Sequence, residues 1–232
     1  MGCFMFDKLV ILIPAYEPEE KFIKLLQELN EKNLKVIVIN DGSDSNYDEI
    51  FNEAKKYSIV IKQDVNKGKG AALKTGLKYI EENIKDDYVV VTMDCDGQHT
   101  LNDALKIGKY AIENSEELVL GKRLRSNKTP LRSRIGNGIT RLIYRLKTKV
   151  DVYDTQTGLR AFSNKLIPFM LSVEGDKFEY EMNVLLQCPI NKIKIKEIEI
   201  ETIYIDNNSH SHFNALRDSK RIYSEIFNFK KK

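Results

Sequence analysis

Tryptophan is absent from this chain of 232 residues, which also has only three cysteines and three histidines. Three scattered cysteines cannot build a disulfide framework, and they suit a reducing compartment such as the cytoplasm. No apolar stretch approaches the ~20 residues that a helix needs to cross a bilayer. The first residues have neither the basic start nor the long apolar core of a secretory signal. We therefore expect a cytoplasmic protein without a transmembrane helix.

Charge of one sign is also lacking, because 37 basic and 34 acidic residues leave a formal net charge of only +3. The positive charge is confined to a few predicted helices, which argues against a nucleic-acid-binding protein. A content of 42% hydrophobic and 31% charged residues is typical of a soluble globular protein with a sizeable core. The length predicts one large domain, and the oligomeric state stays open.

Apolar runs and helical periodicity alternate along the first 120 residues. Strands are predicted at 9–13, 36–39, 59–61, 88–93 and 118–120, and helices at 19–29, 45–57 and 70–80. Continuous apolar strands that alternate with helices predict an α/β fold with a mostly parallel central sheet flanked by helices. The second half predicts a helix over 131–150, strands over 192–198 and 202–205, and a basic amphipathic segment over 212–232.

The most informative motif is Asp94-Cys95-Asp96, which directly follows the fourth apolar run. Two carboxylates at the end of a strand are the hard oxygen ligands that Mg²⁺ and Mn²⁺ prefer, usually together with substrate phosphates. His99 follows closely and can add an imidazole ligand, cap the next helix or bind a phosphate. Asp-x-Asp also caps ordinary turns, so the triplet alone leaves a purely structural role open.

Three further loops are polar. Asn40-Asp41-Gly42-Ser43 is either a turn or a carboxylate that binds a base or ribose at a strand end. Asn66-Lys67-Gly68-Lys69-Gly70 precedes a helix and is either an anion site or a solvated basic turn. It lacks the spacing of a P-loop. The loop 154–158 is either a turn or part of a site. The segments 14–16, 41–43 and 94–96 each follow a predicted parallel strand, so we expect these three to meet at one edge of the sheet.

Taken together, these segments resemble the family 2 glycosyltransferases, which share a nucleotide-sugar-binding α/β fold called GT-A. The matching segments, in the order of that family, are Ile13-Pro14-Ala15-Tyr16-Glu17, Asn40-Asp41-Gly42-Ser43, Asn66-Lys67-Gly68-Lys69-Gly70, Asp94-Cys95-Asp96-Gly97-Gln98-His99 and Asp154-Thr155-Gln156-Thr157-Gly158. Five ordered matches over residues 8–185 are far more specific than any one of them. The forms Asn-Lys-Gly-Lys-Gly and Asp-x-Asp-Gly-Gln-His resemble the polyprenyl-phosphate branch, relatives of dolichyl-phosphate mannose synthase.

The resemblance implies a nucleotide-sugar donor, with a UDP-sugar favoured over a GDP-sugar. It implies that the donor is bound by Pro14, Ala15, Tyr16, Glu17, Asp41, Lys69, Asp94 and Gln98. It also implies a Mg²⁺ or Mn²⁺ ion bound at Asp94, Asp96 and His99. In such a site the cation neutralises the charge that grows on the leaving diphosphate.

The reaction implied is an inverting, metal-dependent transfer of a hexose to a polyprenyl phosphate lipid carrier. Asp96, Asp154 and Arg123 are then the candidate catalytic residues, and Arg123, Arg132 and Arg134 are the candidate cations for the acceptor phosphate. An alcohol acceptor would need a general base, for which Asp154, Glu179 and Glu181 are candidates. A lipid phosphate needs none, because its second pKa near 6 leaves it ionised at neutral pH.

The resemblance implies one GT-A domain over 1–232, with a nucleotide-binding half (1–122), an acceptor half (123–211) and a basic tail (212–232). The helix 131–150 carries an apolar stripe beside an arginine stripe, which suits the surface of an anionic membrane but also an ordinary packed helix. We expect a peripheral location on the inner face of the cell membrane.

Other functions are compatible with parts of the pattern. The alternative within the family is a soluble glycosyltransferase that acts on a hydroxyl of a cell-wall polymer, a glycolipid or a protein. A nucleotidyltransferase would need a glycine-rich loop where the segment 11–16 stands. Intact Asp41, Asp94 and Asp96 argue against a non-catalytic scaffold.

Overall fold

The computed structural model describes residues 6–124, 131–201 and 217–229, with residues 131–136 described as backbone only. Within these ranges seven strands form one sheet in the order β3-β2-β1-β4-β6-β5-β7. The strands are β1 (Leu9–Ala15), β2 (Lys35–Asn40), β3 (Ile59–Lys62), β4 (Val89–Thr92), β5 (Glu117–Arg123), β6 (Arg160–Ser163) and β7 (Lys194–Ile200). The helices are α1 (Lys21–Glu31), α2 (Asp48–Ala54), α3 (Lys69–Asn83), α4 (Leu101–Glu113), α5 (Leu131–Thr148), α6 (Ile167–Ser172), α7 (Glu179–Gln187) and α8 (Arg217–Asn228).

The predicted α/β fold with a mostly parallel sheet is confirmed. Strand β1 runs parallel to both β2 and β4, β2 runs parallel to β3, and β5 runs parallel to β7. Strand β6 is antiparallel to β4 and β5. Strand β6 was not predicted, because it has only four residues and includes the buried polar side chains Arg160 and Ser163. The strand predicted at 202–205 lies outside the described residues.

The hydrophobic core lies on both faces of the sheet. Successive residues of β1 point to opposite faces, as the two-residue period of a strand requires. Leu12 packs with Leu77 and Leu185 on one face, whereas Ile11 packs with Phe22 and other residues on the second face. Because both faces are covered, the ends and loops of the strands are the places where a ligand can bind.

Helix α8 packs against the hydrophobic core. Its residues Ile222 and Ile226 are buried and pack in the same cluster as Tyr144 of α5. Within Arg217–Asn228 the apolar face of the segment predicted at 212–232 is thus covered in part, whereas Phe227 is 60% exposed. Residues 212–216 and 230–232 of that segment lie outside the described residues.

Helix α5 exposes part of its predicted apolar stripe. Ile139, Leu142 and Leu146 are 46%, 57% and 62% exposed. The buried face of the helix carries Tyr144, which is fully buried, and the two threonines that flank it by one turn, Thr140 and Thr148. The Tyr144 hydroxyl donates to the carbonyl of Leu185 at 2.9 Å. None of the helices in the described ranges is long and apolar enough to cross a membrane.

Candidate active site

A cleft of about 990 Å³ opens at the carboxyl edge of the sheet, beside the ends of β1, β2 and β4. The predicted site residues that line it are Pro14, Ala15, Tyr16, Glu17, Asp41, Lys69, Asp94 and Asp96. The parallel order of these strands brings the three loops together, because their carboxyl ends share one edge. Gln98 and His99 do not line the cleft, and His99 is buried behind it.

The loops after β1 and β2 are tied to each other by hydrogen bonds. The Asn40 side chain accepts from the backbone N–H of Ser43 at 2.9 Å, and the Ser43 hydroxyl accepts from the backbone N–H of Glu17 at 2.9 Å. Glu17 adopts a φ of 48°, which is uncommon for a residue with a side chain. These bonds hold the segment 14–17 against the loop of Asp41 and give this wall of the cleft a defined shape.

The Asp41 carboxylate is organised by the loop 66–70. It accepts hydrogen bonds from the backbone N–H groups of Lys67 at 2.9 Å and Gly68 at 2.8 Å. Burial raises the pKa of Asp41, although these two bonds oppose the rise. Gly42 has a φ of 69°, and a Cβ there would lie 2.2 Å from the backbone of Val65. The anion that these two N–H groups bind is therefore a carboxylate of the protein itself.

Lys69 is held between two carboxylates. Its ammonium lies 2.7 Å from Asp94 Oδ1 and 2.8 Å from Glu181 Oε2. Burial alone would lower the pKa of Lys69, but the two carboxylates outweigh it and raise the pKa. This cation therefore carries a permanent charge that connects the strand-end aspartate to helix α7.

Asp94 is held on both of its oxygens. Lys69 contacts Oδ1, and His99 Nε2 lies 3.4 Å from Oδ2. Burial would raise the pKa of Asp94, but Lys69 and His99 outweigh it and hold the pKa well below its usual range. Gly158 leaves room for this carboxylate, since a Cβ at that position would lie 2.3 Å from Oδ2. The Gly158 carbonyl accepts from the Thr92 hydroxyl at 2.8 Å.

Asp96 faces the cleft with fewer partners than Asp94. One of its oxygens accepts from the backbone N–H of Gln98 at 3.0 Å. Burial and the neighbouring charge of Asp94 both raise the pKa of Asp96. A bound cation would offset both effects, so the chemistry of this carboxylate fits a cation ligand.

A complete metal cage is not present in the described residues, where no three His, Cys, Asp or Glu side chains are grouped to hold an ion. Mg²⁺ and Mn²⁺ sites that share substrate phosphates need only one or two carboxylates. Asp96, with Asp94 beside it, fits that kind of site. His99 already faces Asp94, and its role as a ligand stays a prediction.

Arg123 and Asp154 form an ion pair outside the cleft. The guanidinium donates to both carboxylate oxygens, at 2.7 and 3.0 Å, and Asp154 is only 4% exposed. The backbone N–H groups of Tyr153 and Asp154 each donate to the Glu197 carboxylate at 2.9 Å. This pair joins the end of β5 to the loop 151–158. The side chains of Arg132 and Arg134, also predicted at an acceptor phosphate, lie outside the described residues.

Sequence reasoning missed several residues of the site. Arg160 of β6 is buried and donates to the backbone carbonyls of Thr157 at 3.0 Å and Glu181 at 2.8 Å. Its signal in the sequence was a charged residue between two apolar ones, Leu159 and Ala161. Four residues distant in sequence complete the far wall of the cleft, and they are Lys177, Phe178, Arg217 and Asp218. No local pattern marks these four, because folding alone brings them to the cleft.

Comparisons of the sequence with known proteins find one matching family and several similar proteins. The family described as Glycosyl transferase family 2 matches residues 10–173. The chain is 32% identical over 241 residues to UDP-N-acetylglucosamine–dolichyl-phosphate N-acetylglucosaminyltransferase of Methanococcus voltae, covering 94% of this chain and 95% of that protein. It is 27% identical over 220 residues to a dolichyl-phosphate beta-glucosyltransferase of Trichomonas vaginalis, covering 85% of this chain and 66% of that protein.

Solved structures of low sequence identity share the fold. Glucosyl-3-phosphoglycerate synthase from Mycobacterium tuberculosis, in complex with Mn²⁺, UDP-glucose and phosphoglyceric acid, superposes with a TM-score of 0.71 at 15% identity. The match covers 97% of this chain and 79% of that one. At this identity the similarity supports the fold of the chain and says nothing about its ligands.

Proposed function

The chain belongs to glycosyltransferase family 2 and has the GT-A fold, and from this premise we propose that it transfers a hexose from a UDP-sugar to a polyprenyl phosphate. The observation that carries the proposal is the cleft that joins Asp41, Asp94 and Asp96 at one sheet edge. The relative from Methanococcus voltae, similar over nearly its whole length, is named for a UDP-sugar donor and a dolichyl-phosphate acceptor. That name supports the choice of both substrate classes.

The charges of the cleft support a requirement for a divalent cation. Seven carboxylate side chains but only four basic ones line it among the described residues. A nucleoside diphosphate would meet repulsion there unless a cation came with it. Asp96, with Asp94, would hold Mg²⁺ or Mn²⁺, and the ion would neutralise charge on the leaving diphosphate. The Mn²⁺ and UDP-glucose bound by the structural relative agree with this proposal.

The candidate general bases support a phosphate acceptor rather than a hydroxyl. Asp154 is paired with Arg123, and Glu181 is paired with Lys69. Glu179 Oε1 accepts two backbone N–H groups, those of Asp176 and Lys177. A hydroxyl acceptor would need one of these carboxylates to leave its partners and take a proton. A phosphate is already ionised at neutral pH, so it needs none of them.

The outward stripe of helix α5 supports contact with a membrane, where the acceptor lipid resides. Ile139, Leu142 and Leu146 are exposed on one side of the helix, and Arg145 and Lys149 are exposed beside them. An exposed apolar stripe flanked by cations suits the interface of an anionic bilayer.

Liposome sedimentation tests this surface. The double variant Leu142→Asp/Leu146→Asp should sediment less with anionic liposomes, while its affinity for UDP stays unchanged. Ile59→Asp is the control, because Ile59 is also exposed, at 43%, but lies on β3. Equal sedimentation of the wild type and the double variant would remove α5 from the membrane contact.

Calorimetry tests the donor and the cation. We expect UDP to bind in the presence of Mn²⁺ and not in the presence of EDTA, with GDP binding more weakly. Asp96→Asn should abolish the binding, whereas Asp86→Asn, at an exposed position, should retain it. If neither nucleotide binds the wild type under either condition, the donor half of the proposal is wrong.

A titration with acceptor tests the other half of the proposal. Release of UDP from a UDP-hexose should rise when polyprenyl phosphate in detergent is added. No stimulation by the lipid would remove it as the acceptor and favour the alternative of a hydroxyl on a polymer, glycolipid or protein.

A further inference from the structure

Three of the four basic side chains that line the cleft have a carboxylate partner in the described part of the chain. Lys69 lies between Asp94 and Glu181, at 2.7 and 2.8 Å. The Lys21 ammonium lies 3.0 Å from Glu19 Oε2, and the Arg217 guanidinium lies 3.5 Å from Asp218 Oδ1. These cations already compensate charges of the protein.

Lys177 is the fourth cation. Its side chain lines the cleft and is half-buried, and within the described ranges its ammonium makes no hydrogen bond or ion pair. A cation at the wall of the cleft that makes no ion pair can bind an anionic ligand without first breaking one. The position therefore suits a residue that binds an anionic ligand.

Hydrogen bonds and an ion pair hold the segment around Lys177 in place, so the fold defines where its side chain lies. Its backbone N–H donates to the Glu179 carboxylate at 3.2 Å. The Asp176 carbonyl accepts from the backbone N–H of Ala71 at 2.9 Å, and the Asp176 carboxylate binds the Lys74 ammonium at 2.8 Å. The segment is thus fixed to the first turns of α3, the helix that begins with Lys69.

Gly68 allows the stem of Lys177 to cross the loop 66–70. A Cβ at Gly68 would lie 2.7 Å from Lys177 Cγ and 2.5 Å from the Asp176 carbonyl oxygen. Gly68 donates its N–H to Asp41, and the next residue, Lys69, binds Asp94. The stem of Lys177 therefore lies beside Gly68, whose neighbours in the chain include the contacts to both Asp41 and Asp94. The charge of Lys177 is also among those that oppose the rise of the Asp41 pKa.

We propose that Lys177 is a donor-binding residue that contacts the diphosphate of the nucleotide sugar. The inference rests on the proposed function, because it takes a nucleoside diphosphate as the ligand of this cleft. A dianionic diphosphate bound in this cleft would lie near Lys177, the one cleft-lining basic side chain that makes no ion pair among the described residues. A charge-assisted hydrogen bond at that point strengthens binding without forming or breaking any bond of the substrate.

Calorimetric titration with uridine and with UDP, in Mn²⁺, separates a phosphate contact from a contact with the nucleoside. Lys177→Ala should weaken UDP binding about 10-fold or more, as the loss of a charge-assisted hydrogen bond does. Uridine has no phosphate, so its affinity should stay unchanged. Lys177→Arg should recover most of the UDP affinity, because it keeps the charge.

Lys24→Ala is the matched control, since it removes one positive charge from an exposed position on α1 and should leave both affinities unchanged. Equal losses for uridine and UDP would overturn a phosphate contact, and unchanged UDP affinity would overturn any donor contact. If wild type binds no UDP at all, the proposed function fails first, and the same pair of titrations with guanosine and GDP then decides whether Lys177 binds a diphosphate.

Discussion

Gly158→Ala should disable the site through a single methyl group. A Cβ at Gly158 would lie 2.3 Å from Asp94 Oδ2 and 2.7 Å from Asp94 Cγ. Ordinary contacts between such atoms are about 3.5 Å, so the carboxylate must move by about 1 Å. That movement pulls Asp94 away from Lys69, which lies 2.7 Å from its other oxygen.

The expected loss follows from the size of this displacement. A misplacement of about 1 Å in a catalytic constellation costs on the order of 100-fold in rate. We therefore expect kcat/KM for transfer from the UDP-sugar to fall about 100-fold in Gly158→Ala, with a weaker apparent affinity for Mn²⁺. Steady-state kinetics with the donor and the cation varied separately would measure both effects.

Gly108→Ala separates this effect from a general loss of stability. A Cβ there would lie 2.9 Å from the end of the Leu9 side chain in the core, and its nearest neighbours, Leu9 and Val91, do not line the cleft. It should lower the melting temperature and leave kcat/KM nearly unchanged. Wild-type kinetics and cation dependence in Gly158→Ala would mean that activity does not depend on the present position of the Asp94 carboxylate.

Three further variants test the contacts around the site. Arg123→Met leaves the Asp154 carboxylate buried without its partner, and should lower the free energy of unfolding by about 3 kcal/mol in denaturant titrations. An unchanged midpoint would show that the Arg123–Asp154 ion pair does not stabilise the fold. Ile226→Ala creates a cavity at a fully buried position of α8 and should lower the free energy of unfolding by about 2–5 kcal/mol in the same assay. An unchanged free energy of unfolding would mean that α8 does not stabilise the core. Glu181→Gln removes one carboxylate from Lys69 and should raise about 10-fold the Mn²⁺ concentration needed for UDP binding, and no change would leave Glu181 without a role in positioning.

The architecture of the first half could be predicted because its signals are local. Each parallel strand is a short, continuous apolar run, and the carboxyl ends of such strands meet at one edge. That rule was enough to bring together the loops of Pro14, Asp41 and Asp94. Strand β6 could not be predicted, because the buried charge of Arg160 interrupts its apolar pattern and its partners lie far away in sequence.

The partners of the site residues could not be read from local patterns. Lys69 and Glu181 are separated by more than a hundred positions, yet their side chains lie 2.8 Å apart. The direction of α5 was equally hidden, since its apolar stripe fits a packed helix as well as an exposed one. Tyr144 and its flanking threonines fill the packed face instead, because hydrogen bonds satisfy the hydroxyls of Tyr144 and Thr148 there.

The most direct test of the account is a transfer assay with two acceptors that differ in one group. A radiolabelled UDP-hexose would be incubated with the protein and Mn²⁺, together with either a polyprenyl phosphate or the matching polyprenol. We expect label in the lipid fraction with the phosphate only, because a phosphate needs no general base and the three candidate bases, Asp154, Glu179 and Glu181, are held by other partners. Transfer to the polyprenol, or no lipid labelling from UDP- or GDP-hexoses in a protein that binds the nucleotide, would contradict it.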